Sequence, residues 1–331
     1  MNIVYTTNDG FVPQVAACMT SVYENNKNVK ELNIFIVAIN MSKKYQKILK
    51  DIGKKYKRKC YIVELNDIRS MFDFDVDTLG WHVSVLARFF FDKLLPDWVE
   101  KVIYLDGDTI CLRSLKELWN IDMSKNVIAG SLAPTSRVRP VTELELTDED
   151  PYINAGVLLI NLKKWREEKT GERIINYYKE HNGRLSANDQ DAINGTLRQE
   201  IKVIKPKFNY YTSYIYYPYW YLKKSQAPYK FIPKSWYDES KKEPVVIHYL
   251  GEERPWRKGC RHPYQKEFDY YMSLTPFKDR EKDKGWETYF FFFYIFNFFG
   301  KRLPRFRFWV IDTFAPYLMK KRQKKLKKVG D

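Results

Sequence analysis

The chain has 331 residues, 44% hydrophobic and 30% charged, a composition that describes a soluble globular protein able to bury a sizeable core. Its aromatic content of 17% and formal net charge of +16 are unusual, and a charge that large calls for nucleic acid, acidic lipid headgroups or a phosphorylated substrate. Four widely spaced cysteines, Cys18, Cys60, Cys111 and Cys260, form no Cys-x-x-Cys pair, which argues against a zinc site or a disulfide framework and for reduced thiols in the cytosol.

In chain order, Ile3–Thr6 reads as a strand ending in Thr-Asn-Asp-Gly, with no basic leader or long apolar stretch before it. A helix is predicted over about 13–26, a strand over Leu32–Ile39, a helix over Lys43–Tyr56 and a strand over Cys60–Leu65. Ser84–Leu95 is predicted helical, stopped by Pro96, and Lys101–Leu105 is a strand running into Asp106-Gly107-Asp108. This alternation argues for βαβ units and a mostly parallel sheet, whose ligands sit beyond the strands' carboxyl ends. Tyr152–Asn161 has a buried-strand pattern, followed by helices near 162–168, 171–181 and 189–198. Residues 208–237, dense in Tyr, Trp and Pro, read as an irregular aromatic-lined loop region, and Val245–His248 is one more short strand.

Beyond about residue 276 the composition changes. The last segment holds 15 Lys and Arg against 6 Asp and Glu, a net of +9. Trp286–Phe299 is strongly aromatic but shorter and more polar-interrupted than the ~20 apolar residues a bilayer crossing takes. Arg305–Met319 carries aromatics at helical spacing, and Lys320–Lys328 is polybasic. Aromatic surface beside a basic run is the pattern of a helix lying in an anionic membrane interface. Packing of the same residues on the domain or on a second subunit is the blander reading, and nucleic-acid binding is not expected.

Neither G-x-G-x-x-G nor a G-x-x-x-x-G-K-[ST] loop occurs, so a nucleotide's phosphates would need a metal or basic side chains. Asp106 and Asp108 flank a glycine at a strand end, where two carboxylates can reach one hard cation and Gly107 allows close backbone approach. Most Asp-x-Asp triplets are solvated turns, so the triplet alone is weak. Leu105–Ile110 also resembles the first motif of haloacid-dehalogenase-type phosphatases, with Asp106 as nucleophile. That motif usually opens the catalytic domain, whereas a hundred residues of βαβ pattern precede it here.

Further segments match one family. Asp106-Gly107-Asp108, the block Asn154–Trp165, Asn188-Asp189-Gln190-Asp191 and His248-Tyr249-x-Gly251-x-x-Arg254-Pro255-Trp256 resemble glycosyltransferase family 8, above all its bacterial lipopolysaccharide galactosyl- and glucosyltransferases. The resemblance implies an α/β GT-A fold over residues 1–260 and a UDP-hexose donor. It also implies Mn²⁺, or Mg²⁺ in its place, and retention of anomeric configuration. A helical extension, 261–331, would follow, with 285–328 as interfacial anchor.

Carried over by position, the resemblance makes Asp106, Asp108 and His248 the metal ligands, a donor set suited to Mn²⁺. Gly251 and Arg254 would meet the diphosphate, and Thr6, Thr7 and Asn8 the uridine, with Asn8 standing where the family commonly has Asp. Arg88 would lie near the donor phosphate and sugar. Asn154, Asp189 and Gln190 would surround the donor hexose as the catalytic group, and His82 would face the acceptor. Ala133 stands close to where relatives carry an Asp in the sugar pocket, which leaves glucose and galactose undivided. The amide of Gln190 is a poor nucleophile, which favours front-face attack. The expected enzyme works at the inner face of the cell membrane on a glycan or glycolipid acceptor. A phosphohydrolase and a non-enzymatic basic binding protein are the competing readings.

Overall fold

The computed structural model describes residues 1–134, 143–226, 229–300, 302–307, 309–310 and 313. Ten strands form in chain order: β1 Asn2–Thr7, β2 Asn33–Ile39, β3 Lys59–Leu65, β4 Lys101–Leu105, β5 Thr109–Cys111, β6 Ile128–Leu132, β7 Ile153–Asn161, β8 Ile201–Val203, β9 Tyr210–Tyr211 and β10 Val246–His248. Seven build the main sheet in the order β3-β2-β1-β4-β7-β6-β8, and β5-β10-β9 form a small second sheet. The first four positions pair in parallel, as do β6 and β8, while β7 runs antiparallel to both its neighbours.

Apolar residues fill these strands because both faces are covered. Ile3 and Tyr5 of β1 pack with Val12–Tyr23 on one face, and Val4 joins Phe35, Tyr104 and Leu158 on the other. Helices Val12–Asn25 and Lys43–Lys55 return the chain between the first three strands as the sequence pattern predicts.

Two segments differ from expectation. Over 84–95 the chain winds as a 3-10 helix, Val83–Phe90, before one α-turn, Phe91–Leu94; β-branched Val83 and Val85 lower its α propensity. Residues 208–237 are largely helical, with helices Thr212–Tyr216, Tyr219–Gln226 and Lys234–Lys242. Pro218 and Pro233 start helical turns there rather than ending structure. Several of the tyrosines are core residues whose hydroxyls find backbone partners, as Tyr211 and Tyr214 do at Leu132 O.

Past residue 260, helix Gln265–Ser273 lies against Val12–Asn25, with Asn25 Nδ2 donating to the Tyr271 hydroxyl at 2.7 Å. Helix Glu287–Gly300 buries Phe290 and leaves Phe291, Phe292, Phe298 and Phe299 63–67% exposed. No helix among the described residues is long and apolar enough to cross a membrane. The basic run 320–328 lies outside the described residues.

Candidate active site

Topology explains why residues far apart in sequence meet. Because β7 is antiparallel to β4, its first residues lie beside the carboxyl end of β4, and Asp106 N–H donates to Gly156 O at 2.8 Å. In the small sheet, His248 pairs with Thr109, the residue after Asp108, and with Tyr211. The three ligand candidates are thereby fixed by register, and their ligand atoms lie within 4.8 Å of one another.

His248 is 1% exposed. Asn209 Nδ2 donates to Asn154 Oδ1 at 2.8 Å, so Asn209 turns its Oδ1 to His248 Nδ1 at 3.0 Å. That places the proton on Nδ1 and leaves Nε2 as a lone pair. Nε2 is buried without a hydrogen-bond partner, 3.3 Å from Asp108 Oδ1 and 3.9 Å from Asp106 Oδ2. A lone pair facing two carboxylates is a donor set that fits a divalent cation. Burial opposes both charges, yet each group favours the other's: the Asp108 carboxyl is held below its ordinary range and the His248 imidazole above its own.

Arg88 is 2% exposed and lies beside this group. Its Nε donates to Val85 O, one terminal nitrogen to Ala155 O and the other to Tyr104 OH and Asp106 Oδ1, at 2.6–3.2 Å, and its guanidinium ion-pairs with Asp189 Oδ2 at 3.0 Å. Four guanidinium hydrogens are thus spent inside the protein. Arg88 thereby holds Asp106 and Asp189 in place. Tyr104 shares the task, its hydroxyl donating to Asp106 Oδ1. Burial pushes the Asp189 carboxyl up to about 7, the charge of Asp106 adding to it and Arg88 opposing.

Gln190 is equally engaged. Its Oε1 accepts from Asn154 Nδ2 at 3.0 Å and Ala155 N at 3.2 Å, and its Nε2 donates to Tyr152 OH at 2.8 Å. Asn154, Asp189 and Gln190 therefore come together along one wall, beside the triad.

On the opposite side, Gly251 has φ +91°, a conformation glycine adopts freely, with open space beside its α-carbon. Arg254 folds back to Gly251 O at 2.9 Å, and its terminal nitrogen stands 3.6 Å from Asp108 Oδ2. Thr6, Thr7 and Asn8 end β1 at the same rim. His82 accepts from Ser84 N through Nδ1 at 3.1 Å, and its Nε2 lies 2.7 Å from Asn8 Nδ2. His82 and Asn8 thus share one edge of the cleft. Gly107 is needed for packing: a Cβ there would stand 2.8 Å from the Phe11 ring and 2.7 Å from Val15.

Sequence reasoning missed Tyr104, Asn209 and the structural part of Gly156. Among them only Gly156 left a signal, a glycine inside a buried strand pattern.

The profile of Glycosyl transferase family 8 matches residues 2–260. General stress protein A of Bacillus subtilis (strain 168) is 25% identical over 278 residues, 83% of this chain and 94% of the relative. Lipopolysaccharide 1,3-galactosyltransferase of Salmonella typhimurium is 25% identical, covering 83% and 78%, and lipopolysaccharide 1,2-glucosyltransferase of Escherichia coli K12 is 24% identical, covering 84% and 79%. Among solved structures, galactosyltransferase LgtC in complex with donor and acceptor sugar analogs superposes with a TM-score of 0.69 at 20% identity, covering 83% of this chain and 96% of that one. The phosphohydrolase reading of Asp106 finds no support in this fold or in these relatives. The chain belongs to glycosyl transferase family 8 and is a glycosyltransferase of GT-A fold.

Proposed function

We propose that the chain is a retaining hexosyltransferase moving glucose or galactose from a UDP-sugar to a hydroxyl of a cell-surface glycan or glycolipid precursor. The observation that carries the metal-dependent donor site is His248 Nε2, buried, unpartnered and aimed between Asp106 and Asp108. Relatives named for lipopolysaccharide glucosyl- and galactosyl transfer support the sugar class. Mn²⁺, held by Asp106, Asp108 and His248, would supply a Lewis acid for the departing diphosphate.

The chain's own residues do the rest. Arg254 offers a cation to the diphosphate at the open turn of Gly251, and charge stabilisation there is the largest task of such a transfer. Thr6, Thr7 and Asn8 border the nucleoside. Asp189 accepts from a sugar hydroxyl and Asn154 offers its remaining amide hydrogen, while Arg88 holds the aspartate in place. Gln190, with its amide occupied on both sides, favours front-face attack, a donor phosphate oxygen taking the acceptor proton. Residues 1–260 form the catalytic domain in this reading, and the aromatic and basic extension holds the enzyme at the inner face of the membrane.

The test is UDP release with Mn²⁺ across UDP-Glc, UDP-Gal, UDP-GlcNAc and UDP-GalNAc. Turnover with one hexose and retention of its anomeric configuration are expected. Turnover with none of the four, in the presence of acceptor glycans, would remove the donor assignment.

A further inference from the structure

Adjacent side chains of the donor-side loop go to different partners. Arg254 points to Asp108 across the cleft. Glu253, 3% exposed, points away from it. Its carboxylate accepts from the Tyr216 hydroxyl at 2.7 and 2.9 Å and from the Tyr294 hydroxyl at 2.8 Å. Tyr294 belongs to the aromatic helix Glu287–Gly300, and its oxygen in turn accepts from Arg261 N.

Other contacts join the same two elements. Arg257 stacks on Trp286 with its guanidinium carbon 3.5 Å from the ring centroid and pairs with Glu252, and Lys258 reaches Glu287 at 3.4 Å. The aromatic helix is therefore the outer wall of the donor loop. A buried carboxylate is stable only where donors surround it, so the phenols of Tyr216 and Tyr294 fix where Glu253 sits. The next residue along the backbone, Arg254, is fixed with it.

We infer that Glu253 is a positioning residue for donor binding, tying the aromatic helix through Tyr294 to the placement of Arg254. The inference rests on the reading of Arg254 as a contact to the departing diphosphate. It makes the helix a part of the donor site as well as an exposed aromatic surface. Donor affinity then depends on a hydroxyl that never touches the donor.

Full-length Tyr294→Phe, Glu253→Gln, their double variant and Arg254→Ala are compared by UDP titration with Mn²⁺, donor KM and kcat, and thermal melting. Tyr294→Phe and Glu253→Gln should each weaken UDP roughly threefold to tenfold, less than a whole charge-assisted hydrogen bond because the effect passes through the loop. KM should rise in step, with kcat at saturating donor held within about twofold, as for loss of uniform binding. The double variant should lose no more than the worse single one, the mark of a shared contact. If Arg254→Ala weakens UDP but Tyr294→Phe binds it as the parent does, Glu253 is a packing residue only and the inference falls. Additive losses in the double variant overturn it too. If Arg254→Ala binds UDP normally, the donor reading itself fails. Should Glu253→Gln not fold, Tyr294→Phe decides alone.

Discussion

A Cβ added at Gly156 would stand 2.2 Å from Cε1 of His248 and 2.9 Å from Asp106 Oδ2. The glycine in the middle of β7 is what lets a histidine from the small sheet reach a carboxylate of the main one. Gly156→Ala must displace one of them, because the strand is buried along most of its length. We expect the variant to fold with a loss of about 1–3 kcal/mol from overpacking, and to lose Mn²⁺-dependent UDP binding. Unchanged metal-dependent binding by calorimetry would mean that the triad does not act as one site.

Metal dependence gives the second prediction. EDTA should abolish transfer and Mn²⁺ restore it. Asp108→Ala should weaken UDP binding only when metal is present. Asn209→Ala, which removes the partner of His248 Nδ1, should weaken Mn²⁺ by about 10–100-fold, the usual cost of an outer-shell partner. Full activity in EDTA removes the central claim.

How far these residues were legible in the sequence follows from distance along the chain. The Asp pair lies at the end of a clear apolar strand, and His248 ends another. Asn209, by contrast, lies 39 residues from His248 and 55 from Asn154, inside a segment whose tyrosines mask its helical and core character. The parallel half of the sheet follows from alternating periodicity. The reversed direction of β7 does not, because a strand buried on both faces reads the same both ways. Strands of two or three residues, such as β8 and β9, are too short to show a period. Arg88 was found but its buried partners were not, since only the fold shows where its donors go.

That placement sets the third prediction. Arg88→Lys replaces a planar five-donor fork by a compact ammonium, leaving Asp106 and Asp189 short of partners. Disrupting a buried charge group costs about 3–5 kcal/mol. A marked fall in melting temperature should therefore accompany any loss of activity. Parent-like stability combined with weak UDP binding would instead return Arg88 to the donor.

Asp189 titrates near neutrality. Its carboxyl is pushed from 3.8 up to about 7, so the folded chain binds this proton more tightly than the unfolded one. The stability it contributes is complete below the unfolded value and is lost as pH rises through about 7. Activity should run the other way, because the carboxylate is the form that accepts from sugar hydroxyls. With metal and donor saturating, kcat should rise with pH with a one-proton slope, at a midpoint below the metal-free value of about 7 because a cation at Asp106 offsets the charge that helps to raise Asp189. Asp189→Asn should have a low kcat without that rise, at nearly unchanged UDP affinity. An equal loss of UDP affinity in Asp189→Asn and Arg254→Ala would show that the two do not divide sugar from diphosphate.

The last prediction concerns the extension, where the argument depends least on family membership. Phe291, Phe292, Phe298 and Phe299 are exposed together on one helix, with Phe306 and Trp309 exposed beyond it. That is more clustered aromatic surface than soluble monomers usually carry. The segment from Pro276 onward holds nine net positive charges, each Lys or Arg near an anionic surface contributing roughly 1 kcal/mol. Neither term anchors firmly alone, but an apolar face with a basic run does. The full chain should therefore sediment with anionic vesicles and much less with neutral ones. High salt should release only part of it, because the aromatic share is not screened. Replacing Phe291, Phe292, Phe298 and Phe299 by Ser should leave binding that salt removes completely, with transfer to a soluble acceptor retained. If this variant binds anionic vesicles as firmly in high salt as the parent does, those aromatics serve a subunit contact and not a lipid surface.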